Sequence, residues 1–161
     1  MVQAERDYFE FFGLERNLNL DAQDLEKRYY QLSRKWHPDL FARKSDAEKQ
    51  EALDNTALLN DAYRTLKDPI RRAEYVVGAS DEKVPPELLE EVFELNMALE
   101  EGDESQLADF LQKFLHMRAD IDRQLHQAFT TNSHPEIRAL LNRRKYVRNL
   151  IKQVEAHSAA N

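Results

Sequence analysis

Cysteine is absent from all 161 residues. That excludes disulfides, thiolate zinc sites and direct cysteine ligation of an iron–sulfur cluster, so the chain does its work without sulfur ligands of its own. Glycine is scarce, at three, and prolines number only five. So few helix breakers, with sparse β-branched residues and no useful strand-like alternation, favour an all-α protein of long solvated helices. Long apolar runs are missing as well, and residues 1–11 carry Glu5, Asp7 and Glu10. The expectation is no signal, transit or membrane segment, no membrane partner and a cytoplasmic location. Positive charge is in deficit, with 23 lysines and arginines against 30 acids and a formal net charge of −7. A nucleic-acid partner is therefore not expected, because neutralising phosphates needs a surplus of cations along one surface.

A hydrophobic content of 42% is enough for a modest core, and the length fits two small helical units. The rest of the chain is arranged around Trp36-His37-Pro38-Asp39-Leu40-Phe41. Residues 21–36 read as one amphipathic helix, with Asp21 as N-cap and Asp24 in the first turn. Leu25, Tyr29, Leu32 and Trp36 fall at i, i+4, i+7 and i+11 and form an apolar stripe. Lys27, Arg28, Arg34 and Lys35 repeat on another face. Pro38 has no backbone donor and disfavours helical geometry at His37, so the helix should end there and leave His37 and Asp39 on a loop. A basic helical face thus ends in an exposed His-Pro-Asp corner.

Before it, residues 7–14 read as a short helix with Tyr8, Phe9, Phe11, Phe12 and Leu14 available to pack and Gly13 loosening its end. After it, a loop over residues 41–44 leads to Ser45-Asp46-Ala47-Glu48, a capping box that starts the next helix. Leu53, Ala57, Leu59, Asn60, Tyr63 and Leu66 lie in or near its inward stripe, and it should return antiparallel to the first long helix. Asp68-Pro69 interrupts it, and residues 70–77 restart a short helix carrying Arg71, Arg72 and Tyr75. The first unit, 1–78, closes at Gly78. A short stiff linker, 79–86, contains Pro85-Pro86. The second unit, 87–161, then shows three helical patterns over 87–101, 104–131 and 135–156, whose short connections force antiparallel neighbours. Leu107, Phe110, Leu111, Phe114, Met117, Ile121, Leu125, Ala128 and Phe129 trace a seam on the middle helix. Ile137, Leu140, Val147, Ile151 and Val154 trace another on the last.

Tyr8-Phe9, Leu14, Tyr29, Leu32 and Lys35-Trp36-His37-Pro38-Asp39, followed by Ala62-Tyr63-x-x-Leu66-x-Asp68-Pro69-x-x-Arg72-Ala73-x-Tyr75, resemble a J domain, the co-chaperone module of DnaK-type ATPases. A bare His-Pro-Asp is a common turn; two flanking helices and the second block make the likeness specific. The resemblance implies that Lys27, Arg28, Arg34, Lys35, His37, Pro38 and Asp39 engage a DnaK/HscA-type ATPase. No Gly/Phe-rich region of the general J-protein kind follows.

On the first bundle helix, Leu88, Val92, Leu95 and Leu99 suffice for docking in the bundle. Leu89, Phe93 and Met97, at i, i+4 and i+8, form a second apolar row about 100 to 160° around, flanked by Glu90, Glu94 and Glu101. One reading buries this row against the first unit or in a wide core; the other makes it a docking face for a partner with apolar and basic groups. The whole chain resembles the HscB arrangement of a J domain followed by a three-helix bundle. That family binds its client, the IscU-type iron–sulfur scaffold, through this face and an aromatic on the last helix. The resemblance therefore implies scaffold binding by Leu89, Glu90, Phe93, Glu94, Met97, Glu101 and Tyr146. Glu90 stands where the family often has a second apolar residue, and Met97 where an acid is common. His116 and His126 are ten residues apart on one helix and point differently, so neither a metal nor a cofactor is expected. No activated nucleophile accompanies the carboxylate pairs, so catalysis by the chain is not expected either. Two alternatives stay open: a J protein of another pathway with a different client, and a small hydrolase or metal-site enzyme using His37, Asp39 and His116.

Overall fold

In the computed structural model the described residues are 6–78 and 83–160; they form seven α-helices and two short 3₁₀ turns, with no strand among them. They fall into two compact units, Met1–Val76 and Val77–Asn161.

In the first unit, α1 (Tyr8–Phe11) opens on Asp7, whose carboxylate accepts the N–H groups of Phe9 at 2.8 Å and Glu10 at 3.1 Å. It is shorter than the expected 7–14, because Gly13 takes a left-handed φ of 69° and turns the chain out of the helix. A Cβ at Gly13 would also lie 3.3 Å from the tip of the Arg28 side chain, a tight contact to which the guanidinium would have to yield slightly, so the backbone angle is the stronger reason for glycine. α2 (Ala22–Lys35) starts on the Asp21 cap as expected and buries Leu25. α3 (Asp46–Lys67) starts on the complete Ser45/Glu48 capping box. The two long helices run antiparallel, since the α3 partners fall in number as those on α2 rise. Tyr29 donates to Asn60 Oδ1 at 3.0 Å and stacks on Tyr63 at 4.2 Å, whereas seven residues later the Trp36 carbonyl accepts from Thr56 Oγ1 at 3.0 Å.

The inward face of α3 is Ala52, Asn55, Leu59, Ala62 and Leu66. Leu53, Ala57 and Asn60 were expected near that stripe and are exposed, Leu53 by 51%. The i, i+3, i+7 row through two small alanines lets α3 approach closely, and Leu53 is one residue, about 100°, out of phase with it. Phe9, Phe12, Leu25, Leu59, Ala62 and Leu66 form the core, with Tyr29, Leu32, Tyr63 and Tyr75 packed around it. α4 (Pro69–Val77) places Pro69 at its first position, while the Asp68 carboxylate accepts the N–H groups of Ile70 and Arg71. It ties back to α1: Tyr75 stacks on Tyr8 at 4.7 Å, and its hydroxyl accepts the Tyr8 N–H at 3.0 Å. Arg72 is buried, donating from Nε to the Leu18 carbonyl and from Nη1 to the Leu66 carbonyl, both at 2.8 Å. Burial pulls its pKa below the ordinary guanidinium value and Asp68 opposes the shift.

In the second unit, the expected linker falls partly on residues 79–82, which lie outside the described residues. Pro85 is buried, and a 3₁₀ turn, Pro86–Leu88, leads into α5 (Leu89–Glu101). The helix expected from residue 87 therefore begins as a tighter turn. α5 ends on Gly102, left-handed at φ 68°. α6 (Glu104–Thr131) has Asp103 as its N-cap and ends on Asn132, also left-handed; α7 (His134–Ala160) runs longer than the expected 135–156. Leu107, Phe110, Phe114, Ile121, Leu125, Ala128 and Phe129 of α6 face Ile137, Leu140, Leu141, Val147, Leu150, Ile151 and Val154 of α7, and all are buried. Leu95 and Ala98 bring α5 onto this pair, with Leu88 buried just before it. Pairs between Lys113 and Glu91 at 3.5 Å and between Arg144 and Asp122 at 2.7 Å cross between neighbours.

Candidate functional site

The corner is built from α2's end outward. Trp36 closes the helix, its N–H reaching the Leu32 carbonyl at 3.0 Å. Beyond it the backbone of His37 is extended, and Pro38 opens a 3₁₀ turn, Pro38–Phe41. Asp39 therefore sits on an ordered turn instead of the expected loop. The reason is local: His37 Nδ1 accepts the Asp39 N–H at 3.2 Å, the Leu40 N–H donates to the His37 carbonyl at 3.0 Å, and Pro38 arrives with φ already set. With Nδ1 accepting, the neutral ring carries its proton on Nε2. The His37 side chain is 55% exposed and that of Asp39 92%, with 3.6 Å between Nδ1 and Oδ2.

The base under this corner was not visible in the sequence. Thr56 of α3 shares its hydroxyl proton between the carbonyls of Trp36 at 3.0 Å and Ala52 at 2.8 Å. The Trp36 ring stacks on Phe41 with centroids 6.0 Å apart, and Lys35 Nζ lies 5.2 Å from the Trp36 ring centroid. The functional groups thus point outward from a tied backbone, an arrangement suited to being gripped.

The four cations expected on α2 divide by what they touch. Lys27 is exposed and has no ion pair or hydrogen bond with any described residue. Arg34 is exposed, its Nε reaching the Tyr30 carbonyl at 3.4 Å. Lys35 covers Trp36. Arg28 is held inside the unit, with Nε on Asp24 Oδ2 at 2.9 Å and Nη1 on the carbonyls of Phe12 at 2.9 Å and Gly13 at 3.3 Å.

On α5, Leu89, Phe93 and Met97 are 54%, 65% and 47% exposed, while Leu95 and Ala98 on the opposite side are buried. Glu90, Glu94 and Glu101 are exposed beside the row, and Val92 and Leu99 are half-buried. Tyr146 of α7 is half-buried, with Lys145 Nζ 5.2 Å from its ring centroid. Among the described residues no cluster of three His, Asp or Glu side chains could hold a metal ion, and no helix is long and apolar enough to cross a membrane. His116 faces Asp120 of its own helix at 3.6 Å.

An antiparallel helical hairpin with an exposed His-Pro-Asp turn, followed in the chain by a three-helix bundle, defines a J-domain co-chaperone. Residues 7–75 match the DnaJ domain, and residues 84–155 match the HSCB C-terminal oligomerisation domain. The chain is 33% identical to a co-chaperone protein HscB homolog of Aeromonas hydrophila, spanning 92% of this chain and 94% of that one. It is 27% identical to the iron-sulfur cluster co-chaperone protein HscB of Mus musculus, spanning 93% and 68% respectively. Its fold superposes on the chaperone HscB from Vibrio cholerae with a TM-score of 0.72 at 31% identity, covering 96% of this chain and 99% of that one. The chain belongs to the HscB family of co-chaperones.

Proposed function

We propose that this protein stimulates the ATPase of a DnaK/HscA-type chaperone through its first unit and delivers an IscU-type scaffold protein to that chaperone through its second, in iron–sulfur cluster assembly and transfer. The reading is carried by the exposure of the His37 imidazole and Asp39 carboxylate on a turn tied down by Thr56 and Trp36. Lys27, Arg34 and Lys35 flank the approach to it, and Arg28 adds its charge to the same helix while its donors hold the helix to α1. Such cations chiefly speed and orient encounter, and the His-Pro-Asp turn transmits the signal to the ATPase.

For the scaffold, the exposed row of Leu89, Phe93 and Met97 edged by Glu90, Glu94 and Glu101 supplies an apolar anchor with an acidic rim, joined by Tyr146 of α7. The name of the mouse relative ties that protein to iron–sulfur clusters, which favours a scaffold of that pathway as the client. We read the chain as having no turnover of its own: the corner offers a donor and a carboxylate but no nucleophile.

The test is His37→Gln and Asp39→Asn in a chaperone ATPase assay. Stimulation should vanish while scaffold affinity is unaltered; persisting stimulation would refute the J-domain reading. Capture of the scaffold from solution separates this reading from that of a J protein serving a different client.

A further inference from the structure

Two of the four cations expected on α2 make contacts within the unit. Arg28 is folded back onto Asp24, Phe12 and Gly13, and Lys35 lies over Trp36. Among the exposed residues of α2, Lys27, Tyr30 and Arg34 fall at i, i+3 and i+7 and make one stripe leading towards the turn that carries His37, with Glu26 and Gln31 exposed beside it. Tyr30, outside both the apolar stripe and the cationic face expected from spacing, is 55% exposed and sits between the two cations. Its ring is buttressed edge-on by Tyr29 at 5.6 Å, and Tyr29 is itself fixed by stacking on Tyr63 at 4.2 Å and by its hydrogen bond to Asn60. No described residue hydrogen-bonds the Tyr30 hydroxyl.

We propose that Tyr30 is the anchor of the chaperone-binding face, seating in an apolar notch of the ATPase between two acidic groups that receive Lys27 and Arg34. This rests on the J-domain reading and specifies its partner surface. Seven residues of helix set the two cations about 10 Å apart along the axis, and the complementary acids must match that span. A large aromatic with few rotors, held from behind and flanked by charge, loses little entropy on docking and is the kind of side chain that dominates interface energetics. Charge alone would give a contact that salt dissolves; burial of the ring gives one that salt does not.

The experiment titrates the full-length protein into the HscA-type ATPase of the same organism and reads the concentration for half-maximal stimulation at low and high salt. Tyr30→Ala should raise that concentration by about tenfold at both salts, and Tyr30→Phe should restore it. The penalty of Lys27→Ala should shrink as salt rises. Tyr30→Gln, which keeps helix propensity and the length of the chain, should resemble Tyr30→Ala, excluding a folding defect. A Tyr30→Ala curve overlying that of the parent, or a deficit that fades with salt as for Lys27→Ala, would overturn the inference. With His37→Gln inactive in the same assay the J-domain reading still stands and the anchor alone is wrong; if His37→Gln also stimulates, both fall.

Discussion

Arg72 carries a charge into the first unit's interior and uses it on main-chain carbonyls. Its guanidinium fork holds the segment before α2 to the end of α3 through Leu18 and Leu66. Arg72→Met should destabilise the unit by about 2 to 4 kcal/mol, because two buried carbonyls lose their donors, and urea unfolding followed by circular dichroism measures it. Thr56→Val keeps the shape but removes the hydroxyl under Trp36. It should cost about 1 kcal/mol by the same measurement, with Thr56→Ser restoring it. Neither role was legible in the sequence. Arg72 belongs to the second block of the J pattern, yet its buried hydrogen bond is to a carbonyl 54 residues away. Arg28 illustrates the converse: helical spacing places it beside Lys35, but whether a cation faces water or a neighbouring loop is settled by that loop. His37 and Asp39 were legible as exposed groups because Pro38 acts on the chain locally; the turn that orders them was not.

Helix starts were readable where a side chain caps its own backbone, as at Asp21 and Ser45. Ends were less so, because the stop at Phe11 depends on the left-handed Gly13 and the extent of α7 on packing. On α3 the expected stripe holds at Leu59, Tyr63 and Leu66 and departs from the structure at Leu53, Ala57 and Asn60, which are exposed. Leu53 is larger and more apolar than Ala52 or Asn55, but close helix approach rewards the small row over the greasy one. On α5 the two apolar rows were both visible, and only their exposure needed the structure. Because Phe93 and Met97 touch water, Phe93→Ala with Met97→Ala should leave the bundle's urea stability within about 0.5 kcal/mol. The same pair should weaken scaffold binding by at least about 2 kcal/mol, read by titration calorimetry. Normal binding by the folded double variant would remove the docking face from the proposal.

Across the whole molecule, two compact units follow one another along the chain. The bundle was legible because the turns at Gly102 and Asn132 are too short for anything but antiparallel return. In the proposed function, carrying the client and ATPase contacts on one chain replaces a second diffusional search by an effective concentration on the order of millimolar. A protease site inserted between Gly78 and Lys83 tests this. After cleavage, ATPase stimulation without scaffold should persist, while the extra stimulation that scaffold confers should be lost; equal enhancement from cut and intact protein would contradict it. The Asp39 carboxylate, with 92% of its side chain in water, reaches any partner fully hydrated. Under the proposed function, the ATPase that grips it must strip that hydration shell and solvent restores the shell on release, which favours a short-lived contact over a permanent one.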